Sequence, residues 1–203
     1  MGKKKKIFLH QKRKKHKYLL IKQKKCMNLW HEISAGDNLP KECNVIIENP
    51  RGNKNKYEVD KETGLIKLDR PMKTSQDFPF DYGFIPQTYW HDNDPLDVVV
   101  LSTYPLHPGV LVKARPVAVF RMIDCGERDE KVIVVPVSDP RFDKVQNLSH
   151  INPHTIKEFI HFFQTYKTIE DGKKVEIKKV EGKKEAMEVI KEGLKLYEKK
   201  FKK

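Results

Sequence analysis

Three aspartates lie within six residues in the segment 92–97, which reads Asp-Asn-Asp-Pro-Leu-Asp. Pro95 keeps this segment from being an ordinary helix. Two carboxylates about 5 Å apart repel by roughly 3 kcal/mol at an effective dielectric constant near 20. A folded protein tolerates such crowding when a cation lies between the carboxylates or when they spread into water. The apolar flanks, 80–86 and 98–101, favour the cation, because they place the acids at the edge of a packed sheet.

A second acidic segment, 124–131, contains Asp124, Asp129 and Lys131. It lies between two predicted strands, so its aspartates stand on the two arms of a connection that can fold back. Together the two segments supply five aspartates. Oxygen ligands select hard cations such as Mg²⁺, Mn²⁺ or Ca²⁺ over Zn²⁺. The residues alone therefore predict a site for a hard divalent cation.

The net charge of +13 belongs to an N-terminal tail. Residues 1–26 contain twelve Lys or Arg and no Asp or Glu, whereas the other 177 residues carry 29 basic and 28 acidic side chains. The tail has no apolar run long enough for a signal peptide or a membrane span. We expect it to be a disordered or non-native extension, with Met27 as the natural first residue. A tether to nucleic acid or to an anionic surface is the alternative.

The length and the cysteines bound the remaining choices. A chain of 203 residues is enough for one domain with a sizeable core. Because residues 1–26 are expected to be an extension, we expect that domain at 27–203. Cys26, Cys43 and Cys125 are odd in number and show no paired spacing. This pattern argues against a disulfide framework or a zinc site and indicates a reducing compartment.

Short apolar runs separated by turns fill the first two-thirds of the body. They predict strands at 44–48, 56–59, 65–68, 98–101, 110–114, 117–122 and 132–137. The strands at 56–59 and 65–68 flank the turn 60–64, which predicts a hairpin with Gly64 at the left-handed position. Pro116 divides a long run and indicates a bulge or an edge. Such spacing suits a closed or nearly closed barrel. The last third predicts two helices, one that begins after Asn152 and ends near Tyr166, and one that carries an apolar stripe from Ala186 to Phe201. The expected fold is α+β, a small closed β-barrel of OB-like form with helices packed on its side.

The motif D-x-D-P-x-D-V is intact at Asp92–Val98. Further matching segments follow in family order, at 45–50, 56–58, 69–72, 81–86, 104–109, 115–117, 124–131 and 161–167. On these residues the chain resembles the soluble family I inorganic pyrophosphatases of prokaryotic type over residues 28–203. The resemblance does not extend to the basic tail.

The resemblance implies a role for each polar residue of these motifs. Asp92, Asp97 and Asp129 correspond to ligands of the first metal, with Asp97 bridging to a second. Asp124 and Asp129 correspond to ligands of metals that arrive with the substrate, and Asp94 to the residue that accepts a proton from water. Glu48 and Glu58 correspond to outer members of the same cavity. The implied phosphate contacts are Lys56, Arg70, Tyr82, Lys131, Tyr166 and Lys167. Phe78 departs from the tyrosine of many bacterial members, so a hydroxyl-dependent role there is in doubt.

The resemblance also implies the reaction and its setting. Inorganic diphosphate would be hydrolysed to two orthophosphates by in-line attack of a water activated by several metals, without a covalent intermediate. The implied cofactor is Mg²⁺, several ions per subunit, with Mn²⁺ or Zn²⁺ as substitutes. The implied protein is a cytoplasmic homohexamer that uses the helix carrying His154 and His161 as a contact surface. No membrane is expected as a partner, and nucleic acid only through the tail.

Three other interpretations compete with this one. Asp92-x-Asp begins like an EF-hand loop, but the sixth position is Asp97 and the twelfth is Thr103, which departs from the glycine and glutamate of that loop. A nucleic-acid-binding protein would rest on the tail and on the barrel-like strands. A sugar-nucleotide transferase with a D-x-D motif would need more length and a nucleotide-binding alternation of strands and helices.

Overall fold

The computed structural model describes residues 27–169 and 174–202. Over these residues, nine strands precede or separate two α-helices. The strands are β1 (Cys43–Asn49), β2 (Asn55–Val59), β3 (Ile66–Pro71), β4 (Asp81–Phe84), β5 (Asp97–Val100), β6 (Leu111–Asp124), β7 (Glu127–Arg128), β8 (Lys131–Pro136) and β9 (Val175–Gly182). The helices are α1 (Pro153–Thr165) and α2 (Lys183–Phe201), and two 3₁₀ turns, Pro140–Phe142 and Leu148–His150, precede α1.

Five strands pair into a closed ring in the order β1, β4, β5, β8, β6 and back to β1. All pairings in the ring are antiparallel except that of β5 with β8, which is parallel. Strands β7 and β9 extend the sheet from β6, and β2 and β3 form a separate hairpin. The predicted α+β fold, a closed OB-like ring of strands with helices at its side, is confirmed.

The strands of the ring bury both of their faces. Along β5, Val98 and Val100 belong to one apolar cluster and Val99 to another, as expected for side chains that alternate across a strand. Helix α2 covers the first cluster with Ala186, Val189 and Ile190. Helix α1 covers the second cluster with its phenylalanines at 159, 162 and 163. This double coverage explains why β5 and β8 read as continuous valine-rich runs.

Both predicted helices are present, and the start of α1 matches its predicted cap. The side chain of Asn152 accepts a hydrogen bond from the backbone N–H of His154, and Pro153 occupies the first helical position. The hairpin prediction is also confirmed, with Gly64 at φ +72° in its turn.

Three predictions about the strands need correction. Residues 175–182 form β9, although the last third was expected to be helical only; β9 is stabilised by pairing with β6, which lies more than fifty residues away in sequence. The segment 81–84, which is absent from the predicted strands, forms β4 and contains Tyr82. The runs on either side of Pro116 form one 14-residue strand, β6, and the predicted bulge falls between Pro116 and Ala118.

Two further points concern which residues the structure describes. The expectation that residues 1–26 are a disordered or non-native extension falls outside them. Within the described ranges, neither helix has the length and apolar character that crossing a bilayer would require.

Gly83 tests the close approach of β4 to β1. A methyl group at this position would lie 1.9 Å from the carbonyl oxygen of Ile46. Gly83→Ala should therefore lower the free energy of unfolding by about 3 kcal/mol or more, since the clash is with backbone. Gly52→Ala is the control, because Gly52 has φ +81° and open space around it, which costs only about 1 kcal/mol. Urea denaturation measures both, and equal costs would contradict the packing of these strands.

Candidate active site

Three carboxylates converge at one end of the ring. Asp97 is the first residue of β5, Asp92 lies in the loop that precedes it, and Asp129 lies just before β8. One carboxylate oxygen from each lies within 4.8 Å of one from each of the others. A turn shapes the loop, in which the backbone N–H of Asp94 donates to the Asp92 carboxylate at 3.1 Å. The two acidic segments thus meet as the sequence predicted.

Strand register places a lysine among these acids. Because β5 and β8 pair in parallel with Val98 opposite Val132, Asp97 and Lys131 stand side by side at the starts of their strands. The Lys131 ammonium pairs with the carboxylates of Asp97 and Asp129, and only 3% of this residue is exposed. Burial opposes its charge, but Asp129 and Asp97 outweigh burial and raise the pKa of Lys131 well above its ordinary value. One fixed positive charge therefore partly balances three negative ones.

Two acids of this group favour their protonated form in the absence of a cation. Burial, reinforced by the charge of Asp97, raises the pKa of Asp92 to about 8. The same two causes raise the pKa of Glu48 to about 8, although the Val59 N–H donates to its carboxylate at 2.8 Å. Carboxylates forced together in a buried place are stabilised by a bound cation. The all-oxygen donor set of Asp92, Asp97 and Asp129 fits a hard divalent metal.

A second group of residues lies where β6 ends and where α1 ends. Asp124, the last residue of β6, pairs with Lys167. Burial opposes ionisation of Asp124, but Lys167 outweighs it and lowers the pKa of this carboxyl below its ordinary value. Tyr166 caps α1, and burial raises the pKa of its phenol. The neutral hydroxyl of Tyr166 is therefore available as a hydrogen-bond donor next to a lysine.

The β2–β3 hairpin contributes further residues to the site. Lys56 pairs with Glu58 on the same strand and with Asp69 at 3.3 Å on β3. Arg70 is the cross-strand neighbour of Lys56 and pairs with Asp69 at 2.5 Å. Asn49 ties the hairpin to β1, because its amide accepts from the Tyr57 N–H at 2.6 Å and donates to the Tyr57 carbonyl at 3.0 Å.

One cavity of about 430 Å³ collects nearly all of the predicted residues. Twelve of the thirteen line it: Glu48, Lys56, Glu58, Tyr82, Asp92, Asp94, Asp97, Asp124, Asp129, Lys131, Tyr166 and Lys167. Arg70 does not line it and stays beside Lys56 on the hairpin. Phe78 does not line it either and packs in the core against Phe80, Tyr82 and Phe162. The arrangement can hold divalent metal on one side and a small polyanion between basic walls.

The sequence did not single out several further residues of the cavity. Lys61, at the tip of the hairpin, pairs with Asp94 and lies 3.4 Å from the Asn93 carbonyl oxygen. Trp30 borders the same region, and the Lys61 ammonium lies 5.8 Å from the centre of its ring. Cys125 and Glu127 line the opposite edge. The predicted turn placed Lys61 at a loop tip, but no local signal indicated that this tip lies over the first acidic segment.

Comparisons with known proteins cover this whole arrangement. A family model described as inorganic pyrophosphatase matches residues 45–198. The inorganic pyrophosphatase of Haloferax volcanii is 45% identical over 175 residues, which are 86% of this chain and 99% of that protein. The inorganic pyrophosphatase of Picrophilus torridus is 41% identical over 175 residues, 86% of this chain and 98% of that protein. The crystal structure of inorganic pyrophosphatase from Thermus thermophilus superimposes with a TM-score of 0.82 and 42% identity, over 85% of this chain and 99% of that one.

The raised pKa values predict that metal binding is linked to proton release. Below pH 8 the folded, metal-free site holds protons on Asp92 and Glu48, and a metal requires their carboxylates. The apparent affinity for divalent metal should therefore fall as the pH drops below about 8, and binding at pH 7 should release protons. Calorimetric titration in two buffers of different ionisation enthalpy measures the proton count. Asp92→Asn should release fewer protons than the wild type, and binding without proton release at pH 7 would contradict the assignment.

Proposed function

The chain belongs to the soluble family I inorganic pyrophosphatases, and we propose that it hydrolyses pyrophosphate by direct attack of water with Mg²⁺ as its working metal. Membership makes the protein an inorganic diphosphatase, a hydrolase that depends on divalent metal. The observation that carries the rest is the cavity in which acids from two loops face lysines and tyrosines from other segments.

The proposed metal side of the cavity consists of Asp92, Asp97 and Asp129, and the acids Asp124, Glu48 and Glu58 line the same cavity. Bound divalent ions would lower the pKa of the attacking water and screen the charge of pyrophosphate. An all-oxygen donor set supports Mg²⁺ or Mn²⁺, and the family resemblance adds Zn²⁺ as a further substitute. The cavity contains more acids than the ligand group of Asp92, Asp97 and Asp129 uses, which supports more than one metal ion per subunit.

Asp94 is the proposed acceptor of the proton that water loses on attack. Its side chain is about half exposed in the cavity, and it lies between Asp92 and Asp97 in the first acidic segment. The Lys61 ammonium pairs with it and holds its carboxylate at the edge of the cavity. As the new P–O bond forms, the proton passes to Asp94 and the bridging P–O bond of pyrophosphate breaks.

Basic and phenolic groups are the proposed contacts of the two phosphates. Lys56 reaches the cavity from β2, and Tyr166 and Lys167 reach it from the end of α1. The departing phosphate gains charge as its bond breaks, and these donors would stabilise that charge. Tyr82 and Lys131 border the acids, and Lys131 lies 5.8 Å from the centre of the Tyr82 ring. Arg70 is kept as a proposed contact on the strength of its place beside Lys56.

No group in the cavity needs to become covalently attached to phosphate in this scheme. Asp94 lies in the loop before β5, whereas Lys56 comes from β2 and Tyr166 and Lys167 come from the end of α1, so different segments of the chain would hold the attacking water and the departing phosphate. In-line displacement requires the nucleophile and the leaving group to lie on opposite sides of the phosphorus.

We further propose a cytoplasmic homohexamer formed from the catalytic domain 27–203. Both cysteines in the described part of the chain are free thiols, which suits a reducing compartment. An open depression beside α1 is lined by His154, Lys157, Glu158 and His161, and it offers a polar contact surface. No membrane partner is expected, and nucleic acid only through residues 1–26.

Phosphate release from pyrophosphate tests the activity and its metal centre together. The wild type should release phosphate with Mg²⁺ and lose this activity with a chelator. Asp97→Asn should lower kcat by at least about 100-fold at ordinary Mg²⁺ while leaving the melting temperature nearly unchanged, because it removes a charge from the metal side of the cavity. Asp143→Asn is the matched control, because Asp143 is exposed and distant from the cavity lining. Near-normal turnover in the Asp97→Asn variant would show that Asp97 is not a metal-binding residue of the active site.

The oligomer has its own test. Sedimentation of residues 27–203 should give the mass of six copies, and His161→Glu should shift the distribution to smaller species by adding like charge near Glu158. Lys178→Glu, on an exposed position of β9, is the control and should leave the mass unchanged. A monomeric wild type would refute the hexamer without touching the hydrolytic function.

A further inference from the structure

Glu130 is a buried carboxylate outside the cavity, between two residues that line it. Asp129 and Lys131 line the cavity, whereas the side chain of Glu130 does not. Only 4% of Glu130 is exposed. A buried charge is costly unless it is fully paired, so its contacts are informative.

The first contact of Glu130 reaches the other acidic segment. The indole N–H of Trp90 donates to one Glu130 carboxylate oxygen at 2.8 Å, and only 1% of Trp90 is exposed. The backbone of Trp90 also closes the turn of that segment, because its N–H donates to the Asp94 carbonyl at 2.8 Å and its carbonyl accepts from Asn93 at 3.2 Å. A single residue therefore shapes the Asp92–Asp94 turn and links it to the neighbour of Asp129.

The second contact of Glu130 reaches helix α2. Arg128 donates through Nε to the other Glu130 oxygen at 3.0 Å. Its guanidinium also donates to both carboxylate oxygens of Glu192, at 3.0 and 3.3 Å, and lies 5.1 Å from the centre of the Trp90 ring. Arg121, at 3.6 Å from Glu130, adds a second positive charge. Both carboxylate oxygens of Glu130 are thus paired, and Arg128 connects the two acidic segments to α2 through Glu192.

We propose that Trp90 and Glu130 are positioning residues that fix the distance between Asp92 and Asp129 and thereby set the affinity of the site for divalent metal. The proposal rests on the proposed function for the identity of the metal side of the cavity. Asp92, Asp97 and Asp129 repel one another, so something other than their own interaction must hold the two loops together. Hydrogen bonds just behind metal ligands commonly change metal affinity by about 10-fold or more when they are lost.

Two substitutions weaken the contact, one from each side. Trp90→Phe removes the indole N–H, and Glu130→Gln removes the charge that Arg128 and Arg121 balance. Calorimetric titration of each purified variant with Mg²⁺ alone, without pyrophosphate, should show about 10-fold weaker binding. In hydrolysis the Mg²⁺ midpoint should rise by a similar factor, while kcat at saturating Mg²⁺ stays within about twofold of the wild type. The double variant should bind no more weakly than the weaker single variant, because both act through one contact.

Glu181→Gln is the matched control. Glu181 also pairs with Arg121, at 2.5 Å, but it lies on β9 and touches neither acidic segment. It should leave Mg²⁺ binding unchanged, which separates loss of this contact from general loss of a buried ion pair. Wild-type Mg²⁺ affinity in both test variants, or a fall in kcat at saturating Mg²⁺ with an unchanged midpoint, would overturn the positioning role.

Arg128→Lys covers the case in which the buried substitutions prevent folding. Arg128 is 39% exposed in its side chain, so the protein tolerates a change there, and lysine cannot contact Glu130 and Glu192 together as the planar guanidinium does. Its Mg²⁺ binding should weaken by about threefold to 10-fold. Unchanged binding in Arg128→Lys would count against the proposal by itself. Failure of the wild type to hydrolyse pyrophosphate would instead refute the proposed function and leave these Mg²⁺ titrations interpretable.

Discussion

Mutual repulsion among buried carboxylates is the constraint on which the rest of this structure depends. Asp92, Asp97 and Asp129 present oxygens within 4.8 Å of one another, and Lys131 balances only part of their charge. The rise in the pKa of Asp92 and Glu48 to about 8 expresses the same imbalance. A site with this excess of negative charge is stable in its ionised form only when it holds cations, and cations are what a doubly phosphorylated substrate requires. Metal binding and substrate binding therefore follow from one electrostatic fact.

The ring of strands makes this crowding possible. The parallel pairing of β5 with β8 sets Asp97 beside Lys131, and the rest of both strands is buried on two faces. Their register cannot slip without moving valines out of both apolar clusters. The apolar core thus provides the free energy that holds the charged residues in place, and α1 and α2 complete that core from outside. Because the core needs apolar strand centres, the charged residues of the site lie at strand ends and in loops.

The sequence was informative where structure is local. The acidic motif, the cap of α1 at Asn152 and the Gly64 turn depend on residues a few positions apart, and all were predicted. Strand β9 was missed because its stability comes from pairing with β6 and not from its own lysine-rich composition. The pairing of Lys61 with Asp94 and that of Trp90 with Glu130 were missed for the same reason, since each joins segments about thirty to forty residues apart. Arg70 is a different case, because the resemblance implies a phosphate contact for it, while its side chain lies beside Lys56 outside the cavity lining.

The position of Arg70 follows from how the hairpin is attached. Strands β2 and β3 form their own two-stranded sheet, which is joined to the ring by the Asn49–Tyr57 hydrogen bonds and by the bond from Val59 to Glu48. Most side chains of the hairpin are only partly buried, so its placement depends largely on these polar contacts, together with the packing of Val59 against the apolar cluster that contains Trp30. Asp69 then holds Lys56 and Arg70 on the hairpin in the absence of an anion. A phosphate that entered the cavity would compete with Asp69 for Lys56, which lines the cavity. Strand register therefore places Asp97 and Lys131, and the Trp90–Glu130 contact joins the two acidic loops, whereas the hairpin presents Lys56 through polar contacts that an anion would rearrange.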